Sequence, residues 1–356
     1  MEPSPPPAPA RRVTSADVAR RVGVARPTVS AVFGARSGTH VSPQLRQRIL
    51  DTAHRMGYRT NTAARATRAG RFGAVGVLQA AEASRGAMHL TTLFALQTRA
   101  AERDMHLSMG IIPEARLTDP AGLPKVLREW CVDGLLISYT SAIPPLILDH
   151  IKRQGVPVVW MNVKLPHDCV HLDDHGAARG STEILLELGH RRVTFVGEQP
   201  GGSLDQHYSV RDRYDGYAAA LAAAGLPAAP QFLPPNRPQR SDNPSRAITS
   251  LADMLRGPDR PTAILTTHDA TDVLFAAHLA GLVVPDDLSV VVLADEVRHA
   301  LGVRPAQMRL HSYGLGFRAF EQLLVKIRRP HEPLTPVAVY STFERGQTLA
   351  PPPGCG

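Results

Sequence analysis

The 356-residue chain is poor in lysine, cysteine and aromatic residues, and it has no long apolar run. Its three cysteines, Cys131, Cys169 and Cys355, are odd in number and lack metal-ligand spacing. A disulfide framework and a zinc ribbon are thereby excluded, and a reducing compartment is expected. No stretch approaches the ~18 apolar residues of a membrane span. Residues 1–10, rich in proline, lack the charged start and apolar centre of a signal peptide and read as a disordered leader. Catalytic signatures are missing too: there is no G-x-S-x-G, no Walker sequence and no Cys/His constellation. The glycines from Gly197 to Gly202 lack the strand–G-x-G-x-x-G–helix order of a dinucleotide site. His171-x-Asp173-Asp174-His175 resembles a metal set only superficially, because it falls at a strand-to-helix junction where capping is the simpler role. No enzyme, cofactor or metal is expected.

What is present is arginine, and it is concentrated at one end. Residues 1–71 hold thirteen arginines against Glu2, Asp17 and Asp51, a surplus of ten. The remaining residues hold 27 basic and 29 acidic groups, so the formal +8 belongs wholly to the N-terminal segment. Such a block is the electrostatic footprint of a polyanion partner, with affinity drawn from phosphate neutralisation and counterion release. The arginines are interleaved with a helical apolar pattern, which opposes a merely solvated tail. Thr14 caps a first helix with Asp17 in its first turn and Val18, Ala19 and Val22 on its apolar face. Gly23 breaks it. Pro27 opens a second helix that buries Val29, Val32 and Phe33. After a loop from Gly34 to His40, Ser42-Pro43 starts a third helix through Ile49, Leu50 and Met56, stopped by Gly57. Helix, glycine turn and helix make a helix-turn-helix unit, whose second helix enters the major groove of DNA. Residues 61–71 are too short and polar to form a helix alone.

Beyond residue 74 the pattern alternates. Strand-like runs are predicted at 74–79, 106–112, 133–138, 157–161, 192–196, 261–266 and 288–293, and helices at 88–104, 144–153, 176–188, 213–224, 244–256 and 268–281. Alternation of this kind predicts an α/β fold of doubly wound parallel sheets, in two subdomains divided near 168–175. The proline-rich stretch 227–244 reads as a surface loop.

This layout resembles the lac-repressor/gal-repressor family of bacterial transcription regulators, from about Arg12 to Pro352. The resemblance rests on Val13-Thr14-x-x-Asp17-Val18-Ala19-x-x-x-Gly23-Val24, Thr28-Val29-Ser30, Val41-Ser42, Arg48-Ile49-Leu50 and Met56-Gly57-Tyr58-x-x-Asn61-x-x-Ala64-Arg65. In the core it rests on Asp133-Gly134-Leu135-Leu136, Leu188-Gly189-His190-Arg191-Arg192, Arg213-x-x-Gly216-Tyr217, Leu288-Ser289-Val290-Val291 and Arg345-x-x-Thr348. It implies an all-α head and a hinge helix joined to a two-lobed, periplasmic-binding-protein-like core. The implied boundaries are 11–60 for the head, 61–72 for the hinge, 73–172 with 313–332 for the first lobe, 173–312 with 333–350 for the second, and 351–356 for a tail. The tail is too short for a coiled coil, so a homodimer on a near-palindromic operator is implied rather than a tetramer. A cytoplasmic, nucleoid-associated bacterial repressor answering to a small polar effector, sugar-like or otherwise, is the expectation. A regulator that has lost its effector, and a ligand-binding protein without DNA function, stand as the alternatives.

The family pattern places base reading on Arg26, Pro27 and Ala31, and phosphate contacts on Thr14, Thr28, Ser30 and Ser42. Asn61, Ala64, Arg65 and Thr67 fall on the hinge, with Thr67 where relatives carry a leucine wedge. Ala25 stands where a serine usually caps the second helix. Arg213, His268, Asp269 and Asp295 fall on the effector cleft, with Asp269 also able to cap a helix. The segment Gln79 to Leu90 and the stretch Asp242–Arg246 depart from the family, and the aromatic that stacks on a sugar face is missing from the latter.

Overall fold

The computed structural model describes residues 12–33, 41–60, 70–81, 88–112, 123–129, 131–139, 143–197, 207–229, 232–233, 245–267, 269–295 and 299–354. Asn61, Ala64, Arg65, Thr67 and His268 lie outside the described residues, as does the loop 34–40. The chain divides into two compact units, Met1–Gly73 and Ala74–Gly356. The division falls one residue beyond the expected 72/73 boundary.

The head has three helices: α1 (Ser15–Val22), α2 (Arg26–Phe33) and α3 (Pro43–Arg55). Thr14 closes a capping box at the start of α1. It accepts from the Asp17 amide, and the Asp17 carboxylate accepts from the Thr14 amide at 2.9 Å. Gly23, at φ 80°, ends α1 in the left-handed region that a side chain rarely tolerates. Each helix contributes a fully buried residue, Val18, Val29 and Ile49, around which Phe33, Leu45 and Tyr58 pack. With each such side chain worth about 1.5–3 kcal/mol, this small core is what sets the angle between α1 and α2. Arg48 adds a tie, donating from Nη2 to the Val22 carbonyl at 2.8 Å.

The larger unit contains two sheets. The first comprises β1 (Ala74–Ala80), β2 (His106–Ile112), β3 (Gly134–Ser138), β4 (Val158–Met161), β5 (Cys169–Leu172) and β10 (Val337–Val339), in the order β10-β5-β4-β3-β1-β2. Its pairings are all parallel. The second comprises β6 (Val193–Val196), β7 (Ala263–Thr266), β8 (Ser289–Ala294), β9 (Ala306–Arg309) and β11 (Thr342–Glu344), in the order β11-β9-β8-β7-β6. β11 is an antiparallel edge. The central strands β3 and β7 are buried at every position, which is why they read as unbroken apolar runs rather than alternating ones.

Helices α4 (Leu90–Glu102), α5 (Lys125–Arg128), α6 (Pro145–Gln154) and α11 (Ser312–Arg328) go with the first sheet, and α7 (Asp174–Glu187), α8 (Tyr208–Ala223), α9 (Ser245–Arg256) and α10 (Ala270–Leu279) with the second. α4 and α11 cross closely at Gly316, where an added Cβ would lie 2.5 Å from the Thr92 carbonyl oxygen. The Thr92 hydroxyl donates to the Ser312 carbonyl at 2.9 Å, so the two helix starts are held side by side.

The return to the second lobe differs from expectation. β10 pairs in register with β5, Val337 to Val170, and the Leu334 amide donates to Asp168. The first lobe therefore extends through residue 339, not 332; the apolar Val337-Ala338-Val339 edge is what carries it on. After β11 the chain straps across the second sheet. Thr348, fully buried, donates to the Val290 carbonyl at 2.6 Å and accepts from the Ala306 amide at 2.8 Å. Ser289 and Ala350 exchange two bonds, and the buried His190 bridges Thr262 and the Ala350 carbonyl.

Candidate DNA interface and effector cleft

On α2, Val29 and Val32 face inward while Arg26 and Pro27 are exposed and Thr28, Ser30 and Ala31 are half-buried. Five of the predicted contact residues therefore share one short helix, and its outer face offers one long donor side chain, Arg26. The Nε of Arg26 donates to the Ser15 hydroxyl at 3.3 Å, which uses one of the five guanidinium hydrogens. Ala25 supplies no side-chain cap; its carbonyl accepts from the Thr28 amide. Thr14 and Ser42 are N-caps of α1 and α3, Ser42 accepting from the Leu45 amide at 3.3 Å. The hydroxyls thus have helix-capping work already. The first-turn amides of these two helices remain suited to phosphate oxygens.

In the larger unit a cavity of about 450 Å³ is lined by His89 and Thr91 from the first lobe and by Asp269, Asp295, His299 and Gln307, among others, from the second. Asp269 caps α10, accepting from the Thr271 amide at 2.9 Å. Asp295 sits just past β8, and both its oxygens are engaged: Thr91 Oγ1 donates to one at 2.6 Å and the Ser312 amide to the other at 2.7 Å. Two of the predicted effector residues, Asp269 and Asp295, share this cavity. Arg213 is not among its lining residues. Its Nε donates instead to Asp174 Oδ1 at 2.7 Å, and Asp174 is 1% exposed. Asp174 is the first residue of α7, and the fold sets its carboxylate against the guanidinium 39 positions away.

A second polar group joins the lobes. His207 Nε2 donates to the Asn162 carbonyl at 2.9 Å, while Nδ1 accepts from the Ser209 amide. The Tyr208 hydroxyl lies within 3.3 Å of Asn162 Oδ1, and Lys164 pairs with Asp212. Burial pushes the His207 imidazolium pKa down and the Tyr208 hydroxyl up. Thr91, His299 and Gln307 escaped the sequence reading. Thr91 is an ordinary helix threonine until a residue 204 positions away is brought to it. Three residues of the metal-like set have other partners: His171 bonds the Leu172 carbonyl, Asp173 caps α7 and Asp174 pairs with Arg213.

The Periplasmic binding protein-like domain family matches residues 182–348. Over 354 residues the chain is 28% identical to the HTH-type transcriptional regulator GntR of Escherichia coli strain K12, covering 96% of this chain and 98% of that one. It is 26% identical over 350 residues to the HTH-type transcriptional repressor PurR of Erwinia tasmaniensis, covering 96% and 98%. Over nearly its whole length the chain is thus similar to regulators of the lac-repressor/gal-repressor type. Both of these relatives are named as transcription regulators. Its fold matches the lac repressor dimer bound to operator and the anti-inducer ONPF with a TM-score of 0.73 at 20% identity, covering 96% of this chain and 100% of that one. The CelR regulator in complex with cellobiose matches with a TM-score of 0.61, also at 20% identity, covering 95% and 100%. Among the described residues, no helix is long and apolar enough to cross a membrane.

Proposed function

We propose that this chain is an effector-controlled repressor of the lac-repressor/gal-repressor family that binds a near-palindromic operator as a homodimer, with α2 in the major groove and the cavity beside Asp295 as its effector site. The observation that carries the reading is the pairing of a strongly cationic head, its α2 face exposed, with a polar cavity shared by two lobes. Arg26 is assigned to a guanine, where a bidentate pair is worth about 1–3 kcal/mol of discrimination. Pro27 and Ala31 offer no donor, so base readout is thin. Thr14, Thr28, Ser30 and Ser42 are assigned to phosphates, and Asn61, Ala64, Arg65 and Thr67 to the hinge contacts in the minor groove. Leu90, Phe94, Met109 and Ile111 on the first lobe, and Phe275, Leu279 and Val283 on the second, are exposed apolar residues. Exposed clusters of this kind mark interfaces, and a second copy of the chain is the proposed cover. An operator-bound dimer, like that named for the lac repressor, puts this chain on the nucleoid.

The effector is assigned as a small polar metabolite held by Asp295, Asp269 and His299 of the second lobe and His89 of the first, with His268, adjacent to Asp269 in sequence, as a further contact. A sugar fits the hydroxyl-binding carboxylates. Regulators of this fold are named with bound cellobiose and ribose. A regulator without an effector is the second reading, favoured by the commitment of Arg213 to Asp174. Selection of bound duplexes from a random pool, with and without candidate metabolites, tests both. A symmetrical consensus whose enrichment one metabolite changes supports the first reading, a consensus indifferent to all of them supports the second, and no consensus defeats both.

A further inference from the structure

The effector site rests on a residue that already has a partner in the opposite lobe. Asp295 belongs to the second lobe by its position after β8, yet one hydrogen bond to its carboxylate comes from the first lobe and the other from the first residue of α11, the helix that enters the first lobe. The donors are the Thr91 hydroxyl in the first turn of α4 and the Ser312 amide at the first residue of α11. Helix starts carry unpaired N–H groups and the positive end of the backbone dipole, so a carboxylate placed against two of them is held by charge as well as by hydrogen bonds. That two starts can converge on one carboxylate follows from the close α4–α11 crossing at Gly316 and from the Thr92–Ser312 bond beside it.

We infer that Asp295 is an interlobe clasp: its bonds to Thr91 and Ser312 set how far the cleft closes, and they gate the effector site. The inference rests on the proposed effector reading only for its consequence. A hydroxyl that binds Asp295 must take an acceptor lone pair beside Thr91 or displace it, so ligand binding and lobe closure draw on the same carboxylate. The Asn162–His207 and Lys164–Asp212 contacts, on different elements, are not touched by that exchange.

The clasp has a direct readout, because the Ser312 amide hydrogen is itself one of its bonds. In the purified full-length chain, without any added metabolite, amide hydrogen exchange is measured at Ser312 and its neighbours together with the radius of gyration by small-angle scattering. Asp295→Ala is expected to speed Ser312 exchange at least tenfold and to enlarge the particle. Thr91→Val, which keeps the side-chain shape, is expected to do both to a smaller extent. Thr98→Val removes a comparable hydroxyl bond on the same helix, to the Phe94 carbonyl, and is expected to do neither. Wild-type exchange at Ser312 and unchanged scattering in both Thr91→Val and Asp295→Ala would overturn the clasp. Should Asp295→Ala fail to fold, Thr91→Val decides alone. The measurement involves neither DNA nor ligand, so its failure leaves the repressor reading standing, and failure of the duplex selection leaves the clasp standing.

Discussion

Arg213 and Asp174 form a salt bridge at 2.7 Å in which the carboxylate is almost wholly buried and the guanidinium is 20% exposed. Removing one charge of such a pair is worse than replacing both, because the survivor loses both water and partner. Breaking a fully buried pair costs about 3–5 kcal/mol, and the partial exposure of Arg213 places this one at or below the low end. Arg213→Leu is expected to lower the melting temperature more than Asp174→Asn, which keeps an oxygen able to accept the guanidinium bond. Equal shifts in a thermal melt would mean the pair carries no net strain on being halved.

Acid should loosen the core before it protonates carboxylates. Burial holds His190 and His207 below the ordinary imidazole pKa, against the opposing help of the Ala350 and Asn162 carbonyls. Depressed folded-state values mean the unfolded chain binds more protons, so stability rises with pH. The contribution is complete above the unfolded value of about 6.5 and falls as pH drops through it towards the folded values. Urea midpoints taken from pH 7.5 to 5 should decline, and His190→Gln should flatten part of that decline. A flat profile in the wild type contradicts the assignment.

Gly316→Ala sets helix propensity against packing. Alanine favours the helix by about 1 kcal/mol. Its Cβ, however, would meet the Thr92 backbone oxygen at 2.5 Å, and backbone cannot swing aside as a side-chain tip can. Overpacking of this kind costs about 1–3 kcal/mol. Net destabilisation by denaturant titration is expected. A neutral or stabilised variant would show that the α4–α11 crossing relaxes freely.

Three substitutions in the proposed DNA-binding segment separate its roles. Arg26→Ala should relax sequence preference at one base pair per half-site, by about 1–3 kcal/mol. Arg65→Ala should weaken binding to all duplexes and lower the slope of log affinity against log salt by about one. Thr67→Leu should increase operator bending in circularly permuted gel shifts, because an apolar wedge unstacks a base step better than a hydroxyl does. Unchanged binding in the first two would remove Arg26 and Arg65 from the interface.

The parts of the fold that were legible in the sequence are those with strong local signals. Thr14 with Asp17, Gly23, and Ser42-Pro43 each fixed a helix boundary of the head through capping chemistry alone. Largely apolar runs located β1, β3, β4, β6, β7 and β8, and a mixed one, His106 to Ile112, located β2. Short strands without such runs were missed: Cys169–Leu172 has a histidine inside it, Ala306–Arg309 mixes glutamine and arginine, and β10 and β11 are three residues each. Their strand character comes from neighbours in the sheet, which no window of sequence contains. The start of α8 at Tyr208, five residues before the expected 213, follows from His207 accepting the Ser209 amide, a cap that histidine rarely signals. In the cleft, the charged residues could be assigned by family position, but their partners could not. That Arg213 turns to Asp174, and Asp295 to Thr91 and Ser312, depends on contacts between distant segments.

The strap through Thr348 and Ala350 has a practical consequence for anyone handling this protein. Those residues complete the hydrogen bonding of β8 and β9 from outside, so trimming the chain at Gly346 would strip acceptors and donors from the middle of a sheet. Proteases or early stop codons that remove so few residues should yield an insoluble product, whereas a purification tag appended beyond Gly354 leaves that stitching intact.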